Sequence, residues 1–170
     1  LIRYILLEVD AMSINRRVGS TCMDALDAID NQLDVMSKAT KAWTSASGYL
    51  GALNVQTQSN KLERALRRAT KSCAFSSPVS ADDTEIAMEK LDAMVPRIES
   101  TFDHIAAKKA DIDSVPLTTP LVKNNIKSMH AETNALTKVL RNATPDSHKD
   151  QLDAYLQRID DAYGRAYGAY

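Results

Sequence analysis

The sequence predicts an all-α fold, an up-and-down bundle of about five amphipathic helices. Three observations carry this. Apolar residues recur along most of the chain in steps that alternate three and four, the spacing of one helix face. Five Gly and five Pro in 170 residues are poor material for turn-rich β architecture, while the abundant Ala favours helices. Short stretches of Gly, Ser, Asp, Thr and Pro separate the periodic segments.

Residues 1–17 form a poorly specified N-terminal segment, readable as a signal remnant or an extension. The chain opens Leu1-Ile-Arg-Tyr-Ile-Leu-Leu7 and meets Glu8 and Asp10 directly afterwards. Residues 18–170 suit a single helical-bundle domain, long enough to enclose one hydrophobic core.

In the first stripe, Cys22, Leu26, Ile29, Leu33, Met36, Thr40 and Trp43 share a face, and Ser45-Ala-Ser-Gly48 marks its end. The second runs through Val55, Ser59, Leu62, Leu66, Ala69 and Cys73 and stops at Ser76-Ser77-Pro78. Ser80, followed by Asp82 and Asp83, caps a third helix. Its stripe is Thr84, Met88, Leu91, Val95, Ile98, Phe102 and Ile105, with Pro96 expected to bend it. Asp111-Ile-Asp-Ser-Val-Pro116 breaks the pattern. Thr119-Pro120 then reads as N-cap and first helical residue of a fourth helix, with Val122, Ile126, Met129, Thr133, Leu136 and Leu140 facing inward. Thr144-Pro145 repeats that signal before Leu152, Leu156, Ile159, Tyr163, Ala166 and Tyr170.

Several function classes find no support. A net charge of −1 and a pI near 6.3 give no reason to expect nucleic acid. Arg64, Arg67, Arg68 and Lys71 share one side of a helix, which reads as a solvated face. No apolar run approaches the ~20 residues of a transmembrane helix. His104, His130 and His148 stand on different segments, and no Glu-x-x-His pair occurs, so no metal site is expected. Gly-rich phosphate loops, G-x-S-x-G and H-E-x-x-H are also missing. Asp24, Asp27, Asp30 and Asp34 follow helical steps along the exposed side of the first helix. The expectation is a non-enzyme without cofactor.

Some residues admit two readings. Cys22 and Cys73 fall at the same height of an antiparallel hairpin centred on Gly48, either bonded in a secreted protein or buried as thiols. Thr40, Ser59 and Thr133 interrupt apolar stripes. Each hydroxyl either bonds back to the carbonyl one turn earlier or serves a polar head inside an apolar cavity. Tyr163, Tyr167 and Tyr170 share a face, with Gly164 and Gly168 leaving room for a neighbouring backbone, either at a packed helix end or at a cavity mouth. Asn142-Ala-Thr144 is a glycosylation sequon at a helix connection, with Pro145 directly after it.

The order of segments resembles the fungal hydrophobic surface-binding protein A family, which includes cell-wall galactomannoproteins. The likeness covers residues 20–170. It rests on Asp27-Ala-Ile-Asp30-Asn-Gln-Leu33, on Tyr49-Leu-Gly-Ala-Leu53 with Leu62-Glu-Arg-Ala-Leu66, and on Ile105-Ala-Ala-Lys108-Lys109-Ala-Asp-Ile112. Ala135-Leu136-Thr-Lys-Val-Leu140 before Thr144-Pro145, then Ile159-Asp160-Asp-Ala-Tyr163, complete it. The resemblance implies a secreted or wall-bound helical bundle without enzymatic activity. Some members adsorb to hydrophobic surfaces and recruit hydrolases there, and others enclose a long-chain fatty acid between helices.

The leading expectation is therefore a noncatalytic binder of a long-chain fatty acid or similar lipid. Leu26, Ile29, Leu33, Leu66, Leu91, Ile98, Met129 and Leu136 would line the chain, with Thr40 or Thr133 near the carboxylate. Burial at ~0.8 kcal/mol per CH₂ supplies affinity without a charged anchor. The rivals are adsorption to hydrophobic surfaces with recruitment of hydrolytic enzymes, a helical-bundle protein inhibitor, and a structural piece of a larger assembly.

Overall fold

A computed structural model describes residues 2–170, with side chains from Thr21 onward. Helix α1 spans Ile2–Ala42, so the expected boundary at residues 17–18 falls within it, and the side chains before Thr21 lie outside the described residues. A 3-10 turn, Ser45–Ser47, leads into α2 (Gly48–Ser72), followed by α3 (Ala81–Ala107) and the short α4 (Lys109–Asp113). Helices α5 (Thr118–Ala143) and α6 (Asp146–Ala169) complete the chain. No strand occurs among the described residues.

Each element follows from its apolar stripe. All seven residues of the first stripe, from Cys22 to Trp43, are buried. The third stripe is likewise buried from Thr84 to Ile105, and the other stripes keep only their end residues and Leu156 partly exposed. Gly48 adopts φ 61°, ψ −164°, a conformation open to glycine, and this sets the corner between α1 and α2. The Ser80 hydroxyl accepts the Asp83 N–H at 3.2 Å, as the capping signal predicts.

The five long helices close into a ring in the order α1, α2, α5, α6, α3. Chain order alternates their direction, so α1, α3 and α6 run one way and α2 and α5 the other. Opposite charges hold the parallel neighbours in register. Lys90 meets Asp27 at 2.6 Å and Arg97 meets Asp30 at 3.0 Å across α3 and α1. Between α3 and α6, Arg158 grips both oxygens of Glu99, and Arg165 reaches Asp103. The acidic row on α1 thus borders a helix seam instead of facing water alone. At one end of the ring a disulfide joins Cys22 to Cys73, with Cα atoms 4.8 Å apart. The turn, α4 and the end of α6 gather around Trp43 at the other.

Several boundaries differ from the sequence expectation. A short helix, Lys109–Asp113, runs into the expected break at residues 111–116, where Ile112 and Val115 are buried against Trp43 and Ala52. Helix α5 opens at Thr118, one residue before the expected cap, after Leu117 in a left-handed conformation with φ 67°. Thr144 closes α5 instead of opening α6, and its hydroxyl donates to the Leu140 carbonyl at 2.7 Å. Pro96 sits inside α3, which continues through it. Gly164 and Gly168 face open space, so no backbone approaches them; the close approach is at Gly51, where an added Cβ would lie 2.5 Å from Ser47 Cβ.

Candidate functional site

Three small apolar cavities are stacked along the bundle axis between the Trp43 end and the disulfide end. The upper one, ≈ 40 Å³, lies among Thr40, Trp43, Ser59, Lys108, Thr118, Asn125 and Met129, with aliphatic side chains between them. The middle one, ≈ 50 Å³, is walled by side chains from all five long helices, including Leu33, Leu62, Ile98, Phe102, Leu136 and Ile159. The lowest, ≈ 30 Å³, touches Cys22, Met23, Phe75, Met88 and Ala143, and shares Leu26 and Leu140 with the middle one.

These spaces form a divided column. Met36 is fully buried, one turn beyond Leu33 of the middle cavity and one turn before Thr40 of the upper. Met129 on α5 borders the upper cavity and Phe102 on α3 the middle one, each about 1% exposed. The Cys22-to-Thr40 stretch of α1 is about 27 Å long at ~1.5 Å per residue. One leaflet of acyl chain occupies only ~15 Å, half of a bilayer core. Length is therefore ample. Width is not, because pockets for drug-sized ligands occupy ~300–1,000 Å³. A long apolar ligand fits only when the Met and Phe side chains swing aside and the helices part slightly. Unbranched Met side chains allow this at low cost.

The residues nominated from the sequence divide between two of these cavities. Leu26, Ile29, Leu33, Leu66, Leu91, Ile98, Thr133 and Leu136 surround the middle one. Thr40 and Met129 border the upper one. The three interrupting hydroxyls already have partners. Thr40 donates to the Met36 carbonyl at 2.9 Å and Ser59 to the Val55 carbonyl at 3.2 Å, each one turn earlier. Thr133 behaves differently: its hydroxyl lies 2.8 Å from the Tyr163 phenol oxygen on α6. Burial holds that phenol far above its ordinary ionisation range. The Tyr163 ring is also packed against Phe102 and stacked on His130, at centroid distances of 4.2 and 4.8 Å.

Outside the column, an open groove of ≈ 420 Å³ runs between α5 and α6. His130, Asn134, Arg141, Asp153 and Asp160 give it polar walls, and Thr133, Thr137, Leu156 and Ile159 are shared with the middle cavity beneath. This seam is the least closely packed of the ring. Polar pairs clasp it: His130 Nε2 sits 2.6 Å from Asp160, and Arg141 reaches Asp153 at 3.0 Å. Of the tyrosines, Tyr167 is exposed, while the Tyr170 hydroxyl donates to the Ile105 carbonyl at 2.6 Å.

One polar atom of the column has no counterpart in the sequence reading. Thr118 Oγ1, at the upper cavity, is buried without a hydrogen-bond partner. Stepping back four residues from Val122 extends the α5 stripe to Thr118, a signal hidden by reading Thr119-Pro120 as the helix start. Asn142 is exposed in the last turn of α5, while the Thr144 hydroxyl of its sequon is occupied by the Leu140 carbonyl. No group of three or more His, Cys, Asp or Glu placed to hold a metal occurs among the described residues.

The profile of hydrophobic surface binding protein A matches residues 19–142. No curated protein sequence matches significantly. Among solved structures, the chain is similar to Afmp4p in complex with palmitic acid, with 26% identity and a TM-score of 0.83 over 89% of this chain and 98% of that one. Ligand-binding domain 1 of the Penicillium marneffei MP1 protein, complexed with arachidonic acids, has a TM-score of 0.79 at 16% identity, over 86% and 94% of the two chains. Domain 2 of that protein, complexed with multiple arachidonic acids, reaches 0.80 at 14% identity over 88% and 94%. At those lower identities the likeness is one of fold.

Proposed function

Because the chain belongs to the hydrophobic surface binding protein A family, we propose that it binds a long-chain fatty acid or similar lipid lengthwise between its helices, without catalysis. The observation that carries this reading is the column of apolar cavities: the middle and lowest share Leu26 and Leu140, and the buried Met36 stands on α1 between the middle and the upper. Similarity to Afmp4p in complex with palmitic acid supports it. Each CH₂ moved out of water contributes ~0.8 kcal/mol, so a long chain offsets the cost of parting the helices.

Access lies along the α5–α6 seam, where the polar groove already reaches the side chains that wall the middle cavity. The protein acts in a secreted or wall-bound setting, where a disulfide between Cys22 and Cys73 persists. No helix among the described residues is long and apolar enough to cross a membrane.

The test compares the protein's mass under native and denaturing conditions, before and after incubation with palmitate, and identifies extracted lipid. A native excess equal to one or two fatty acids is expected. A native mass that never exceeds the bare chain defeats the reading.

A second activity, adsorption to hydrophobic surfaces, draws on a different observation. Leu50 is 80% exposed and Leu117 71%, on the Trp43 end of the bundle. Adsorption through these residues predicts retention on octyl beads that drops when both become Ser.

A further inference from the structure

A buried hydroxyl without a partner is destabilising, so its persistence calls for an explanation. Thr118 Oγ1 is in that condition at 1% exposure, and it lines the upper cavity. Lys108, at the end of α3, lines the same cavity. Its ammonium donates to the carbonyls of Lys41 and Trp43, which leaves a third N–H. Asn125 adds an amide two turns along α5 from Thr118, on the same face.

The other polar groups of this cavity are engaged. Thr40 and Ser59 bond to their own helices. Asp113, the acid beside the start of α5, is exposed, ion-paired with Lys109, and accepts the Thr119 hydroxyl at 2.6 Å. Helix α5 has no acidic residue in its first turn and no side-chain cap, so its positive end is not offset from within. The middle and lowest cavities offer nothing comparable, because Thr133 is spent on Tyr163 and Thr144 on Leu140.

We propose that this end of the upper cavity holds an ionised carboxylate, accepting a hydrogen bond from Thr118 Oγ1 and facing the Lys108 ammonium. The inference rests on the lipid-binding reading and adds a direction and a selectivity to it. The carboxylate sits at the α5 N-terminus beside Trp43, and the tail points past Met36 and Met129 toward the disulfide end. A neutral ester of the same chain length loses the charge attraction.

Trp43, the single tryptophan, lines this cavity, so its fluorescence reports occupancy there. Delipidated full-length protein is titrated with palmitate and with methyl palmitate. Palmitate is expected to bind about tenfold or more tightly than the ester, the scale of one charge-assisted hydrogen bond. Thr118→Val, which keeps the shape, should reduce that preference, because a hydroxyl bonds an ionised carboxylate more strongly than a neutral ester carbonyl. Thr118→Ser should retain it, and Lys108→Met should reduce it. Equal affinity of the wild type for acid and ester overturns the proposal while leaving lipid binding intact. So does a Thr118→Val variant with unchanged preference. Failure of both probes to bind the wild type overturns the lipid reading and this inference with it.

Discussion

The Thr133 hydroxyl and the Tyr163 phenol oxygen lie 2.8 Å apart inside the bundle and join α5 to α6 beneath the groove that separates them. This bond closes the seam along which a ligand would pass, so its loss should loosen both the fold and the route inward. Tyr163→Phe is expected to cost about 1 kcal/mol in urea unfolding and to speed exchange of bound fatty acid. Thr133→Val in the same background should recover part of the stability, because no hydroxyl is then left unpaired. Equal exchange rates in wild type and Tyr163→Phe would remove the seam from the route.

The same tyrosine sets an alkaline limit. Burial raises its pKa far above the ordinary 10.0, and burial raises that of Tyr170 too. The unfolded chain releases these protons near pH 10 while the folded chain keeps them. Stability is thus full below that pH and declines above it, by ~1.4 kcal/mol per pH unit for Tyr163. Unfolding midpoints between pH 9 and 11.5 should fall less steeply for Tyr163→Phe than for the wild type.

Acid should act through the α3–α6 seam. The Arg158 guanidinium, bonded to Glu99, holds that carboxyl below its ordinary 4.5. Its contribution is complete above that value and disappears as the pH falls through the lowered pKa. Melting temperatures of wild type and Glu99→Gln should therefore converge toward pH 2.5, with the wild type higher at pH 6.

Reduction of the Cys22–Cys73 bond frees a loop of 51 residues in the unfolded chain. The expected loss is about 4 kcal/mol by the loop-entropy relation. Chemical denaturation with and without dithiothreitol measures it. An unchanged midpoint would show that the helical core alone fixes α1 against α2.

Filling and emptying the column should move lipid affinity in opposite directions. Leu66→Trp projects new bulk into the middle cavity and should weaken palmitate binding about tenfold or more, or 1.4 kcal/mol. Met36→Ala removes the side chain that divides the column, so it should speed palmitate uptake while costing ~2–5 kcal/mol of stability. Stopped-flow fluorescence of Trp43 follows both. Unaltered affinity in Leu66→Trp would place the ligand elsewhere.

The helices were legible because helix periodicity is local. A face of Cys22, Leu26, Ile29, Leu33 and Met36 is buried in any bundle that buries α1 at all, and the same holds for the Leu91–Phe102 face. Seven of the eight apolar residues expected around a ligand border one cavity, and Met129 borders another. The ends of helices were less legible. Thr119-Pro120 carries a strong local start signal, yet the buried Ile112 and Val115 fix α4 and bring α5 in two residues earlier, with Leu117 held left-handed.

What the sequence determined by itself was the fold class, the inward face of each long helix and the shared height of Cys22 and Cys73, all set by residue spacing. The tertiary structure decided the ring order α1, α2, α5, α6, α3, which brings α6 beside α3 and ties Arg158 to Glu99. It also decided the state of each hydroxyl. Thr40 found a carbonyl on its own helix, Thr133 found Tyr163 on another, and Thr118 found none. Whether a buried hydroxyl is satisfied depends on the rotation of its helix and the chemistry of the neighbour it meets. Both belong to the assembled bundle, and a single stripe of sequence carries neither.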